Sequence, residues 1–203
     1  MVSAFFSKNA PHKPVNGNAC GIFELNKATL MLLVTGDDHK PCAWKAAQTA
    51  LAAFVAEAQA SAGEYDLKHW ATMAQKSVSQ WDNLCAGAGI TLSAAVVHHD
   101  GHFQCLNWGN NAIFCYRDAA LEELTPGFYA QLDERVPLTA GQLHEQQGIL
   151  LLSEGLLKHP KYAFLPDLAL WFEMENPEHY STVLVQKYAD GQSEDITALM
   201  LKF

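Results

Sequence analysis

Charge is scarce in this chain, and basic charge is scarcest. Of 203 residues only 17% are Asp, Glu, Lys or Arg, and 13 Lys plus Arg stand against 22 Asp plus Glu, a formal balance of −9. That sign disfavours a polyphosphate backbone, so nucleic acid is excluded as a partner. Long apolar runs are also missing. The longest, 46–60, is broken by Gln48, Glu57 and Gln59, and a membrane span needs about 20 apolar residues. The opening MVSAFFSKNAPHK lacks a charged start, an apolar stretch and a small-residue cleavage site. No secretory signal is expected from it, and a cytoplasmic protein is. No CxxC spacing occurs. Cys20, Cys42, Cys85, Cys105 and Cys115 are widely spaced and odd in number, which reads as buried, reduced thiols rather than zinc ligands. A phosphate loop is absent, Ser153-Glu154-Gly155 lacks the preceding glycine of a nucleophile elbow, and neither Cys20 nor Cys85 has basic neighbours that would activate a thiol. Nine histidines invite a metal reading, but His98 and His99 are adjacent and on a strand would point to opposite faces.

What is present is a hydrophobic share of 49%, enough for a core and too much for wholesale disorder, over a length that suits one domain. Residues 44–60 predict a helix with a stripe of Trp44, Ala47, Leu51, Phe54, Val55 and Ala58, stopped by Gly63. A second helix is predicted over 66–83, with Leu67, Trp70, Met73, Ala74, Val78 and Trp81 on one face. Strands are predicted at 21–25 and 29–34, then at 89–98, 102–108, 112–117 and 121–124. Later strands are predicted at 148–153, 181–188 and 195–203. Asp100-Gly101 is a strong hairpin signal. Residues 165–175 read as a helix with Pro166 in its first turn, and 126–147 as loop with a short helix. Trp108, Trp171, Phe172 and Tyr162 read either as exposed anchors or, more in keeping with their size, as core. Grouped helices among runs of strands point to an α+β fold with antiparallel sheet.

The order of short motifs adds a resemblance. Lys13-Pro-Val-Asn16-Gly-Asn18-Ala19, then Leu33-Val34-Thr35-Gly36, then Asn107-Trp108-Gly109-Asn110-Asn111-Ala112 with the Tyr116 strand, then Leu150-Leu151-Leu152-Ser153-Glu154-Gly155-Leu156, and finally Glu194-Asp195-Ile196-Thr197 follow one another along the chain. In that order they resemble the metal-dependent protein serine/threonine phosphatases of the PP2C (PPM) family, over about residues 13–203. The resemblance implies a single PP2C-like domain over 1–203, with 1–12 as an N-terminal segment. It implies a four-layer αββα sandwich of two antiparallel sheets flanked by helices. The family's flap subdomain is reduced or absent, because the stretch 125–149 is short.

The same resemblance implies a two-metal site held by aspartates, with a metal-bridging water as nucleophile. The matching positions depart from it. Asn18 and Thr35 are neutral where the family has aspartates, and Asn110 replaces another. Glu154 and Glu194 keep their charge but are longer by a methylene, about 1.5 Å. Lys13 matches the phosphate-binding arginine, as a point charge instead of a fork. Gly36, whose carbonyl reaches a metal in the family, is retained. Such a site should hold a dication pair poorly, so no cofactor is expected. The expected function is a catalytically deficient pseudophosphatase that binds and regulates a protein partner such as a phosphoprotein or kinase, with no membrane role. The alternative is a divergent active phosphatase using Mg²⁺ or Mn²⁺ in a site rebuilt from Gly36, Asp37, Glu154, Glu194 and Asp195. Asp37-Asp38 also reads as a turn placing negative charge ahead of a helix.

Overall fold

Strands buried on both faces lose the in–out alternation of polar and apolar residues, and the central strands of this chain do so. The computed structural model describes residues 1–40, 42–61, 63–81, 83–126, 129–158, 164–174, 177–189 and 194–203. In one sheet β2 (Asn18–Leu25), β3 (Ala28–Gly36), β4 (Ile90–His98), β5 (His102–Trp108) and β8 (Leu138–Gln142) run antiparallel in the order β2-β3-β4-β5-β8. The other has the order β1-β10-β9-β6-β7, from β1 (Val2–Lys8), β10 (Ile196–Lys202), β9 (Gly148–Leu152), β6 (Ala112–Arg117) and β7 (Ala120–Glu123).

Each central strand feeds two layers. Leu30, Leu32 and Val34 of β3 face α1 (Ala43–Ala60) and α2 (Leu67–Ser79), while Met31 and Leu33 face the opposite sheet. On the other side Leu150, Leu152, Ala198 and Met200 pack beneath α4 (Phe164–Glu173) and α5 (Pro177–Ala189), while Ile149, Leu151, Leu199 and Leu201 meet the first sheet. The result is the expected αββα stack. α2 begins at Asp66, whose carboxylate accepts the His69 N–H at 2.9 Å. The β6–β7 hairpin turns through Asp118 and Ala119, both at positive φ (52° and 57°), the pair of left-handed residues that a two-residue turn with the right twist requires.

Several expectations are corrected. Residues 181–188 are part of helix α5, not a strand. Ser181, Leu184 and Tyr188 are buried, a three-to-four spacing that outweighs the β-branched Thr182, Val183 and Val185. The stretch 1–12 contributes β1, paired with β10 from Val2↔Lys202 to Lys8↔Ile196. The described part of 126–147 holds strand β8 and no helix. α1 buries Ala46, Ala47, Ala50, Phe54 and Ala58 and leaves Trp44 exposed, because alanines let the helix lie close to the sheet. The Gly109–Asn111 segment carries the chain from one sheet to the other. Cys42 and Cys85 form a disulfide with Cα atoms 5.6 Å apart, so only Cys20, Cys105 and Cys115 are free thiols. Trp108, Trp171 and Phe172 are core, and Tyr162 lies outside the described residues. No helix among the described residues is long and apolar enough to cross a membrane.

Candidate functional site

At one end of the sandwich the inter-sheet layer changes chemistry. Leu33, Leu151 and Leu199 face the space between the sheets. Two residues further along each strand, on the same face, stand Thr35, Ser153 and Thr197. These hydroxyls and a neighbouring amide bond to one another. The Thr197 N–H donates to Ser153 Oγ at 2.8 Å, Asn18 Nδ2 donates to Thr197 Oγ1 at 3.0 Å, and Ser7 and Thr197 share a hydroxyl contact at 2.7 Å. Asn18 and Thr35 are register partners on β2 and β3. Together they form a neutral, hydrogen-bonded floor.

Above this floor lies a cavity of about 750 Å³. Every position that the sequence singled out lines it. Lys13 and Asn18 come from the first turns, and Thr35, Gly36 and Asp37 from the end of β3. Asn110 comes from the crossing between sheets, and Glu154, Glu194 and Asp195 from the segments flanking β9 and β10. Gly36 is required sterically: a Cβ there would meet the carbonyl of Ala43 at 2.0 Å, so the first turn of α1 could not seat. Gly155 is similar, with Asp195 O at 2.2 Å from a Cβ.

The carboxylates are already engaged. Asp195, 5% exposed, accepts the Ala10 N–H at 2.7 Å on Oδ1 and the Gly17 N–H at 2.6 Å on Oδ2. Its charge is met by Lys13 Nζ at 3.4 Å, and the same ammonium pairs with Asp38. Burial works against the charge on Lys13, but Asp38 and Asp195 outweigh it and hold its pKa above the ordinary lysine value. Glu154 pairs with Lys158, four residues on, and Lys158 also reaches Glu194 at 3.8 Å. Asp37 makes the expected turn: its Oδ1 accepts the His39 N–H at 3.0 Å, and its own N–H donates to Gly89 O at 2.9 Å. Sequence reasoning missed Lys158, whose signal was the i,i+4 spacing from Glu154. It also missed Asn111, whose Oδ1 accepts from Thr35 and from the Glu154 N–H, both at 3.3 Å. Asn111 Nδ2 is buried with no hydrogen-bond partner among the described residues.

This donor set does not fit a pair of hard dications. Mg²⁺ and Mn²⁺ need several anionic or carbonyl oxygens converging on one point. Here the floor is neutral, both oxygens of Asp195 accept backbone N–H groups, and Glu154 is turned to a lysine. Among the described residues no three His, Cys, Asp or Glu side chains come together as an ion site.

No protein-family model matches the chain, and no curated protein does. Solved structures do. The serine/threonine phosphatase PstP/Ppp of Mycobacterium tuberculosis superposes with a TM-score of 0.81 at 15% identity, covering 100% of this chain and 98% of that one. The catalytic domain of PstP in complex with two manganese ions gives 0.79 at 15% identity, covering 98% and 96%. A protein described with the bacterial stressosome, a modular system adapted to control secondary messenger signalling, gives 0.74 at 17% identity, covering 98% and 97%. Two five-stranded antiparallel sheets, helices on both outer faces and a cavity at the strand ends therefore make up the fold of the PP2C-type serine/threonine phosphatases, carried here over the whole described chain.

Proposed function

We propose that this chain is a single PP2C-like domain that performs no phosphoryl transfer and acts by binding, and so regulating, a protein partner. One observation carries the reading: the cleft residues that would hold metal are neutral (Asn18, Thr35) or spent on backbone amides and lysines (Asp195, Glu154). Without dications nothing in the cleft lowers the pKa of an attacking water or neutralises charge on a phosphoryl group. Lys13 is occupied by two carboxylates and is not presented to a phosphate. Similarity to a protein described with the stressosome supports a regulatory setting. The test is hydrolysis of an aryl phosphate and of a phosphoserine peptide with Mn²⁺ or Mg²⁺ supplied. The expected result is no turnover above buffer. Metal-dependent turnover that disappears in Glu154→Ala would overturn the proposal.

The competing reading, a divergent active phosphatase, has one observation in its favour: Asp37, Glu154, Glu194 and Asp195 line the same cavity. It requires Lys158 to release Glu154 and Glu194 to an ion. The same assay separates the two.

A further inference from the structure

Two ammonium groups stand in this cleft, and each bridges carboxylates from two separate segments. Lys13, in the turn after β1, joins Asp38 of the β3–α1 loop to Asp195, which precedes β10. Lys158, at the end of the short helix α3 (Glu154–Leu157), joins Glu154 to Glu194 at the same cavity. An i,i+4 pair alone is a commonplace of helix surfaces, but Glu194 belongs to a different segment, so Lys158 ties α3 to the segment that precedes β10. Where PstP is found with two manganese ions, this fold has two cations that are part of its own chain.

We infer that Lys13 and Lys158 stand in for the pair of divalent ions, cross-linking the cleft's acidic segments and making the domain complete without metal. A lysine ammonium supplies a single charge and three donors. That is enough to tie two carboxylates together but not to activate a water. Charge repulsion among the acidic segments is relieved by the same two groups, so the arrangement of the cleft does not depend on metal concentration. The inference rests on the non-catalytic reading of the cleft and deepens it by naming what replaced the metals.

The experiment is thermal unfolding of wild type, Lys13→Met and Lys158→Met across a series of MnCl₂ and MgCl₂ concentrations, with electron paramagnetic resonance reading free Mn²⁺ in parallel. The wild-type midpoint is expected to stay flat and its free Mn²⁺ signal undiminished. Lys13→Met is expected to melt roughly 5 °C lower and Lys158→Met about 1–2 °C lower. Each variant should then recover part of that loss with Mn²⁺, because a bound ion stabilises the folded state by mass action. A wild-type midpoint that climbs with Mn²⁺, or variants that take up no Mn²⁺, would overturn the inference. If Lys13→Met does not fold, the exposed Lys158→Met and the resonance signal decide it alone. Hydrolysis with no metal response would remove the non-catalytic reading and leave the lysine assignment standing, whereas a metal response without hydrolysis would do the opposite.

Discussion

Leu33 and Thr35 share a face of β3, two residues apart, yet they belong to different kinds of structure. Leu33 is fully buried among Met31, Leu151, Leu199 and Leu201, where hydrophobic burial is non-directional and any well-packed neighbour contributes. Thr35 sits on the cleft floor, where each group depends on one or two directed bonds, the Thr35–Asn111 contact at 3.3 Å among them. The same transition occurs from Leu151 to Ser153 and from Leu199 to Thr197. The lesson is one of independence. The apolar layer fixes how the sheets stack, so changes at the polar end need not disturb the fold. That fold is shared with a structure at 15% identity and a TM-score of 0.81.

The comparison can be broken in several ways. The largest effect is expected from reducing Cys42–Cys85. The bridge closes a loop over a sequence separation of 43, and chain entropy assigns such a link up to about 4 kcal/mol. Denaturant titration with and without dithiothreitol reads it, and unchanged stability would mean that the link constrains nothing. Leu33→Ala should cost about 3 kcal/mol, as transfer and cavity terms add in a dry layer. Asp195→Ala should cost about 2 kcal/mol, since it strands the N–H groups of Ala10 and Gly17 and the ammonium of Lys13. Thr35→Ala, on the same strand as Leu33, should cost less than about 1 kcal/mol. A loss at Thr35 equal to that at Leu33 would contradict the separation of layer from floor.

The gentlest perturbation is alkali. Burial pushes the Cys105 thiol up to about 12 and the Cys20 thiol up to about 11. Each folded pKa lies above the unfolded value near 9, so the contribution is whole below that pH and is lost as pH climbs toward the folded values. Near about pH 9.5 the loss is under about 1 kcal/mol per thiol. Cys105→Ala should flatten part of that slope in a pH series of denaturation midpoints, and an unchanged slope would place the thiol in contact with water.

How far the sequence carried differs between the two regions for the same physical reason. The layers were legible because burial writes itself in the sequence: β3, β4, β9 and β10 are predominantly apolar, and α2 repeats Leu67, Trp70, Ala74, Val78. Periodicity failed where two signals competed. α5 carries β-branched residues that imitate a strand, and β1 and β8 are edge strands with little buried surface. The stripe assigned to α1 included Trp44, because size was weighed above the close approach that alanines permit. Motif order brought Lys13, Asn18, Thr35 and Glu154 to one cavity. It gave no role to Asn111 within its motif, to the contact of Lys158 with Glu194 or to the Cys42–Cys85 pair, because these partners are set by the crossing of distant segments.

The Cys42–Cys85 link has one more effect. Cys42 opens α1 just past the Asp37 turn, and Cys85 lies shortly before Gly89, whose carbonyl takes the Asp37 N–H. The bond therefore fastens two jambs of one doorway. Ionic contacts hold the threshold, and covalent sulfur ties together the two segments that flank it. A thiol-rich surrounding would release that frame, and the loss would be felt at the doorway as well as in the stability of the whole domain.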